Sequence, residues 1–117
     1  MRTEWHQESR IRAYETGPDG KARLATICNL LQECAGSHAD HLGIGVEQMQ
    51  RRGLVWALAR IGIEVFRRPS AGEPVTIQTW LRGVKGPFAM REFAVLDASA
   101  VVVAKASYAW LAIDGTT

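Results

Sequence analysis

The residues of this sequence that could best support acid–base chemistry are Asn29 and Glu33, four positions apart in a stretch with helical periodicity. Side chains at positions i and i+4 of a helix share a face, so this amide and this carboxylate could hold one water molecule between them. A carboxylate that takes a proton from such a water acts as a general base. The spacing makes Glu33 the candidate base and Asn29 its partner, although an ordinary solvated helix face would carry the same two residues.

Two histidines further along the same stretch raise the question of a metal site. His38 and His41 are three residues apart, but no third ligand lies near them in the sequence. His38 continues an apolar stripe, so we expect a semi-buried histidine with satisfied hydrogen bonds, and no metal or other cofactor. Cys28 and Cys34 share that stretch, and we interpret them as free thiols of the core in a cytoplasmic protein.

Three residues in the second half of the chain could contact a ligand. Trp56 and Met90 fall in predicted strands and could line an apolar tunnel, or could belong to an ordinary core. Arg91 follows Met90 directly. It could bind an anionic group or could be a solvated surface arginine.

The elements that must position these residues are one long helix and a set of strands. Apolar residues at three- and four-residue steps predict an amphipathic helix over 24–42, ended by a left-handed Gly43. The run at 54–66 is apolar without clean alternation, so we expect a strand covered on both faces. The remaining predicted elements are a strand at 7–15, a short helix at 46–52, and strands at about 54–67, 74–84, 88–97 and 100–113. Short turns make neighbouring strands antiparallel, which predicts an α+β fold: a curved sheet of about five strands wrapped around the long helix.

The composition is that of one ordinary globular domain, 1–117, with 47% hydrophobic and 22% charged residues. Arg60 and Glu64 interrupt the longest apolar run, so we expect no membrane span and no membrane partner. The polar N-terminus shows no signal peptide. The net charge is +2 and the basic doublets do not extend into a stripe, so no nucleic-acid partner is expected.

Several motifs occur in the order found in one known family, from about residue 9 to 114. The motif R-x-Y-E stands at Arg12, Tyr14 and Glu15, and N-x-L-Q-E-x-A-x-x-H runs from Asn29 to His38. The stretch LVWALARIGIEVFRRPSAGEPVTIQTW is similar to the family's Trp-bearing strand and Pro-x-x-Gly turn, and AMREFAVLDASAVVVAKASYAWLAID resembles its last two strands. The sequence thus resembles the N-terminal hotdog domain of the acyl-ACP thioesterases.

The resemblance implies a hotdog domain that hydrolyses or binds fatty acyl thioesters, on acyl carrier protein or CoA, in fatty acid biosynthesis. A homodimer or homo-oligomer is expected, because single-hotdog thioesterases place an acidic residue of the central helix at a dimer seam. Trp56 and Met90 would line the acyl tunnel, and Arg91 could meet phosphopantetheine or an acidic carrier. The family's catalytic D-x-N-x-H set, which belongs to its second domain, does not occur in this sequence; Glu33 with Asn29 is the candidate in its place.

Two alternatives stay open beside hydrolysis. The domain could be a non-catalytic acyl-binding or assembly module, or the N-terminal substrate-binding half of a tandem thioesterase. A hotdog dehydratase would need a histidine with an acidic partner, and the placement of His38 and His41 argues against it.

Overall fold

The computed structural model describes residues 4–115, and the elements follow the predicted order. They are β1 (Glu4–Arg10), α1 (Leu24–His41), α2 (Val46–Arg51), β2 (Leu54–Val65), β3 (Pro74–Lys85), β4 (Phe88–Leu96) and β5 (Val102–Asp114). The five strands form one antiparallel sheet in the order β1-β3-β4-β5-β2, with α1 packed against its inner face. This is the α+β hotdog arrangement that the sequence predicts. Within residues 4–115, no helix combines the length and the apolar character needed to cross a bilayer.

The core lies between α1 and the inner face of the sheet. The helix contributes a buried stripe at three- and four-residue spacing: Ile27, Leu30, Leu31, Cys34, Ala35 and His38. The strands contribute alternate residues: Val75, Ile77, Phe93, Val95, Ala106 and Tyr108. Complete burial of one large apolar side chain contributes roughly 1.5–3 kcal/mol, so packing of this stripe holds α1 in place more than helix propensity does.

The first strand differs from the predicted strand over 7–15. β1 ends at Arg10, and Ala13–Glu15 form a single 3-10 turn. The Glu15 carboxylate accepts a hydrogen bond of 2.9 Å from the backbone N–H of Arg12. A local bond of this kind satisfies the backbone without a strand partner, so the polar–apolar alternation beyond Arg10 was a misleading strand signal.

β2 forms an edge of the sheet. The prediction that it is covered on both faces is wrong, because seven of its 12 residues are exposed. Its side chains at Val55, Leu58 and Ile61 are exposed. The pairing with β5 shifts by one residue between Leu58 and Arg60, which makes Ala59 the extra residue of a β-bulge. Even-numbered residues before the bulge and odd-numbered residues after it therefore share the inner face. The missing alternation reflects this change of parity and not the burial of two faces.

Candidate functional site

An apolar cleft of about 450 Å³ opens between α1, the segment that follows it, and the strands. Small residues on one side of α1, namely Ala35, Gly36 and Ala39, leave its space unfilled. Its volume falls in the range of about 300–1,000 Å³ that is usual for small-molecule sites. We call it the α1–β2 cleft, and its lining residues are Gln32, Ala35, Gly36, Ala39, Asp40, Ile44, Gly45, Val46, Met49, Leu54, Val55, Trp56, Leu81, Ala89, Arg91 and Trp110.

Trp56 lies in the wall of this cleft, as expected of a residue that lines an apolar tunnel. Its indole N–H donates a hydrogen bond of 2.8 Å to the carbonyl of Ile44, in the connection between α1 and α2. The bond fixes the ring while leaving its apolar surface available to the cleft. Contact of Trp56 with a substrate stays a prediction.

Arg91 is buried, with 4% of its surface exposed, so the alternative of a solvated surface arginine is wrong. It projects from β4 towards α1, where its Nη1 donates to the Nδ1 of His38 at 2.9 Å. The same nitrogen donates to the hydroxyl of Thr79 at 3.0 Å, and that hydroxyl donates to the carbonyl of Glu92 at 2.9 Å. Burial lowers the pKa of Arg91 from its ordinary value. A guanidinium keeps its proton in proteins, so the floor of the cleft carries a positive charge.

His38 is completely buried, and its chemistry follows from its contact with Arg91. Burial is the largest of the effects that lower its pKa to about 4, followed by the positive charge of Arg91 and by the nearby His41. The imidazole is therefore neutral at neutral pH. Because Nδ1 accepts from Arg91, the hydrogen sits on Nε2, which has no hydrogen-bond partner in the described part of the chain. The ring stacks on Trp5 with 5.8 Å between centroids. His38 is more deeply buried than expected, and among the described residues only one of its two ring nitrogens forms a hydrogen bond.

Met90, Asn29 and Glu33 are not among the residues that line the cleft. Met90 neighbours Arg91 on β4, and successive strand residues point to opposite faces, so its side chain faces the outer side of the sheet. Asn29 and Glu33 lie one turn apart on the exposed side of α1 and do not line the cleft. The structure therefore brings Trp56 and Arg91 together, keeps Asn29 and Glu33 together elsewhere, and separates Met90 from both pairs.

The two cysteines are free thiols that belong to the helix packing. The thiol of Cys34 is buried, its Sγ donates to the carbonyl of Ile77 at 3.8 Å, and burial raises its pKa to about 11. A thiol with such a pKa is not a nucleophile at neutral pH. Over residues 4–115 no three His, Cys, Asp or Glu side chains are grouped in a way that could hold a metal ion.

Two residues of the site were missed by sequence reasoning, Thr79 and Trp5. Thr79 follows Val75 and Ile77 at two-residue steps, which places a hydroxyl on the buried face of β3. That alternation was a usable signal for a polar group in the core. Trp5 lies opposite Thr79 on β1, but no local pattern indicated that its ring would cover His38.

Comparison with known proteins identifies relatives of this chain and its fold. The family model for the acyl-ACP thioesterase N-terminal domain matches residues 2–117. The chloroplastic oleoyl-acyl carrier protein thioesterase of Coriandrum sativum is 32% identical over 114 residues, covering 92% of this chain and 31% of that protein. The chain thus spans about a third of the length of the curated relatives it matches.

Solved structures agree with the family match. An acyl-ACP thioesterase from Bacteroides thetaiotaomicron superposes with a TM-score of 0.92 at 26% identity, covering 97% of this chain and 46% of that one. A DHNA-CoA thioesterase from Staphylococcus aureus superposes with a TM-score of 0.87 at 14% identity, covering 97% of this chain and 76% of that one. At that identity the likeness shows a shared fold only.

Proposed function

This chain belongs to the acyl-ACP thioesterase N-terminal domain family, and on that premise we propose that its α1–β2 cleft holds the acyl chain of a fatty acyl thioester on acyl carrier protein or CoA. The observation that carries the proposal is the apolar cleft of about 450 Å³ beside the central helix. Relatives named as acyl-ACP thioesterases support the substrate class. Thioester hydrolysis in fatty acid biosynthesis is the proposed activity.

Glu33, assisted by Asn29, is the proposed general base. The two side chains are exposed on one face of α1, where a partner could cover them and enclose a water molecule. A positioned base accelerates such a step by typically about 10²–10⁴-fold. Neither residue lines the cleft, so the thioester would have to extend out of the cleft to reach them at the seam with a partner.

A second copy of the chain is the proposed partner, placed against the open edge of β2. Within the described residues β2 pairs only with β5, so its other edge offers unpaired backbone groups. Leu58 and Ile61 remain 42% and 47% exposed there. Light scattering of wild-type protein is expected to give a dimer or larger oligomer, and Ile61→Lys to weaken it. Val84→Lys is the matched control, because Val84 is an exposed valine in the β3–β4 hairpin.

The enzyme hypothesis is tested by assaying purified protein against acyl-ACP and acyl-CoA of several chain lengths. Glu33→Gln is expected to reduce turnover by about 10²-fold or more while acyl binding is retained. Glu47→Gln, an exposed glutamate of α2, should leave turnover unchanged. Binding without turnover in wild-type protein would instead support the alternatives, a non-catalytic acyl-binding module or the substrate-binding half of a tandem thioesterase.

A cytoplasmic location is also part of the proposal, since both cysteines are free thiols, as is usual in a reducing compartment. Fractionation of cells that produce the protein from its natural gene would test it, and recovery from a membrane or secreted fraction would contradict it.

A further inference from the structure

The floor of the α1–β2 cleft carries a buried positive charge that no carboxylate of residues 4–115 compensates. The two hydrogen-bond partners of Arg91, His38 and Thr79, are both neutral groups. Among residues 4–115 none of the ion pairs involves Arg91. Withdrawing a charge from water without an opposite charge is unfavourable, so a buried guanidinium of this kind favours an anionic partner.

The guanidinium of Arg91 is also held in one orientation, and some of its N–H donors remain unused within the described residues. Both hydrogen bonds use Nη1, and a guanidinium has five N–H donors, so the donors on Nη2 and Nε have no protein acceptor within the described residues. His38 and Thr79 therefore act as positioning residues for a fork that lines the cleft. A fork presented in this way matches the two oxygens of a carboxylate.

We propose that the cleft binds an apolar chain that bears a free carboxylate, a fatty acid, with the carboxylate on Arg91 and the chain along the apolar walls. The inference rests on the proposed function in that the same cleft takes the chain, but it assigns the ligand's charged group. A thioester carries no anionic group at its carbonyl carbon, so Arg91 favours a free fatty acid over a thioester of the same chain. With its carboxylate on Arg91, the acid lies in the opposite direction to a chain whose thioester is outside the cleft. Asp40, the acidic residue of the lining, is exposed and forms no ion pair with Arg91 among the described residues.

The ligand-side experiment compares a saturated fatty acid with its methyl ester and its alcohol of equal chain length. Dissociation constants are measured by displacement of a fluorescent fatty acid probe from the wild-type chain. A hydrogen bond to a charged group contributes about 1.5–3 kcal/mol, so the acid is expected to bind about 10- to 100-fold more tightly than the ester.

The protein-side experiment uses Arg91→Met, which is expected to bring the acid's affinity down to that of the ester without changing the ester's own affinity. Arg60→Met removes an exposed arginine of β2 and should change neither affinity. Arg91→Lys keeps the charge but loses the fork, so it should retain only part of the preference. If Arg91→Met does not fold, the comparison of acid and ester on wild-type protein decides.

The outcomes separate this inference from the proposed function. Equal affinity of acid and ester in the wild-type cleft would overturn the carboxylate contact and leave the acyl cleft standing. Failure of every chain, charged or neutral, to displace the probe would overturn both. A preference for the acid that survives Arg91→Met would overturn the assignment to Arg91.

Discussion

Acidification is predicted to destabilise the fold through His38, in a pH window that begins about two pH units above the ordinary pKa of a glutamate. The pKa of this buried imidazole is about 4 in the folded protein, against an ordinary value of 6.5. A histidine with a lowered pKa binds its proton more readily when unfolded, so its contribution to stability is complete above pH 6.5. That contribution is lost as the pH falls from 6.5 towards 4. At pH 4.5 the loss amounts to roughly 2–3 kcal/mol relative to neutral pH.

Urea denaturation at pH 7.5 and pH 4.5 measures this loss, with His38→Gln as the comparison. Glutamine offers an amide oxygen to Arg91 but does not titrate, so the pH-dependent difference should shrink by roughly 2–3 kcal/mol in this variant. The pKa of Glu73 is lowered from 4.5 to about 2 by its hydrogen bonds with Arg67, so most of its contribution is lost between pH 4.5 and 2, below the pH of the assay. Equal pH dependence in wild type and His38→Gln would refute the buried, neutral His38.

Three further predictions concern stability. Gly36→Ala should raise the free energy of unfolding by about 0.5–1 kcal/mol in a urea titration, because a Cβ at this helical glycine meets nothing within 4 Å; a decrease would contradict the open space there. Arg67→Ala should lower the urea midpoint more than Arg51→Ala, because Arg67 joins two carboxylates on different turns and Arg51 only one on its own helix; equal effects would contradict the network. Deleting Ala59 should leave a cooperative thermal transition by circular dichroism, since it removes only the bulge. Deleting Gly62 shifts the pairing of the residues beside it, so it should lower the transition midpoint more than deleting Ala59 does. A larger decrease for the Ala59 deletion would contradict the register.

The gross fold could be predicted because its signals are long and regular. The period of α1 extends over five turns, and the strands after it are separated by short turns with glycine and proline. The bulge at Ala59 could not be predicted, since an extra residue in an apolar run looks the same as a strand buried on both faces. The prediction over 7–15 failed at its end because a single side chain, that of Glu15, satisfied the backbone locally.

The site was only partly within reach of sequence reasoning. The burial of Arg91 was predictable in principle, since it shares parity with Phe93 and Val95 on β4, and the same parity directs Met90 outward. Its pairing with His38 joins positions 53 residues apart, and such a contact depends on how helix and sheet pack. The size of the cleft likewise depends on packing around the small residues of α1.

The most direct test of the central claim, that the α1–β2 cleft holds the acyl chain, uses the tryptophan indole signals of the protein. Trp56 and Trp110 line the cleft. Trp80 lies on the outer face of β3, because its neighbour Leu81 points inward to the cleft and successive strand residues face opposite sides. Titration with a non-hydrolysable acyl-CoA analogue, followed by ¹⁵N NMR, should shift the Trp56 and Trp110 signals and leave Trp80 in place. Saturable binding that shifts Trp80 and leaves both cleft tryptophans unchanged would contradict the account.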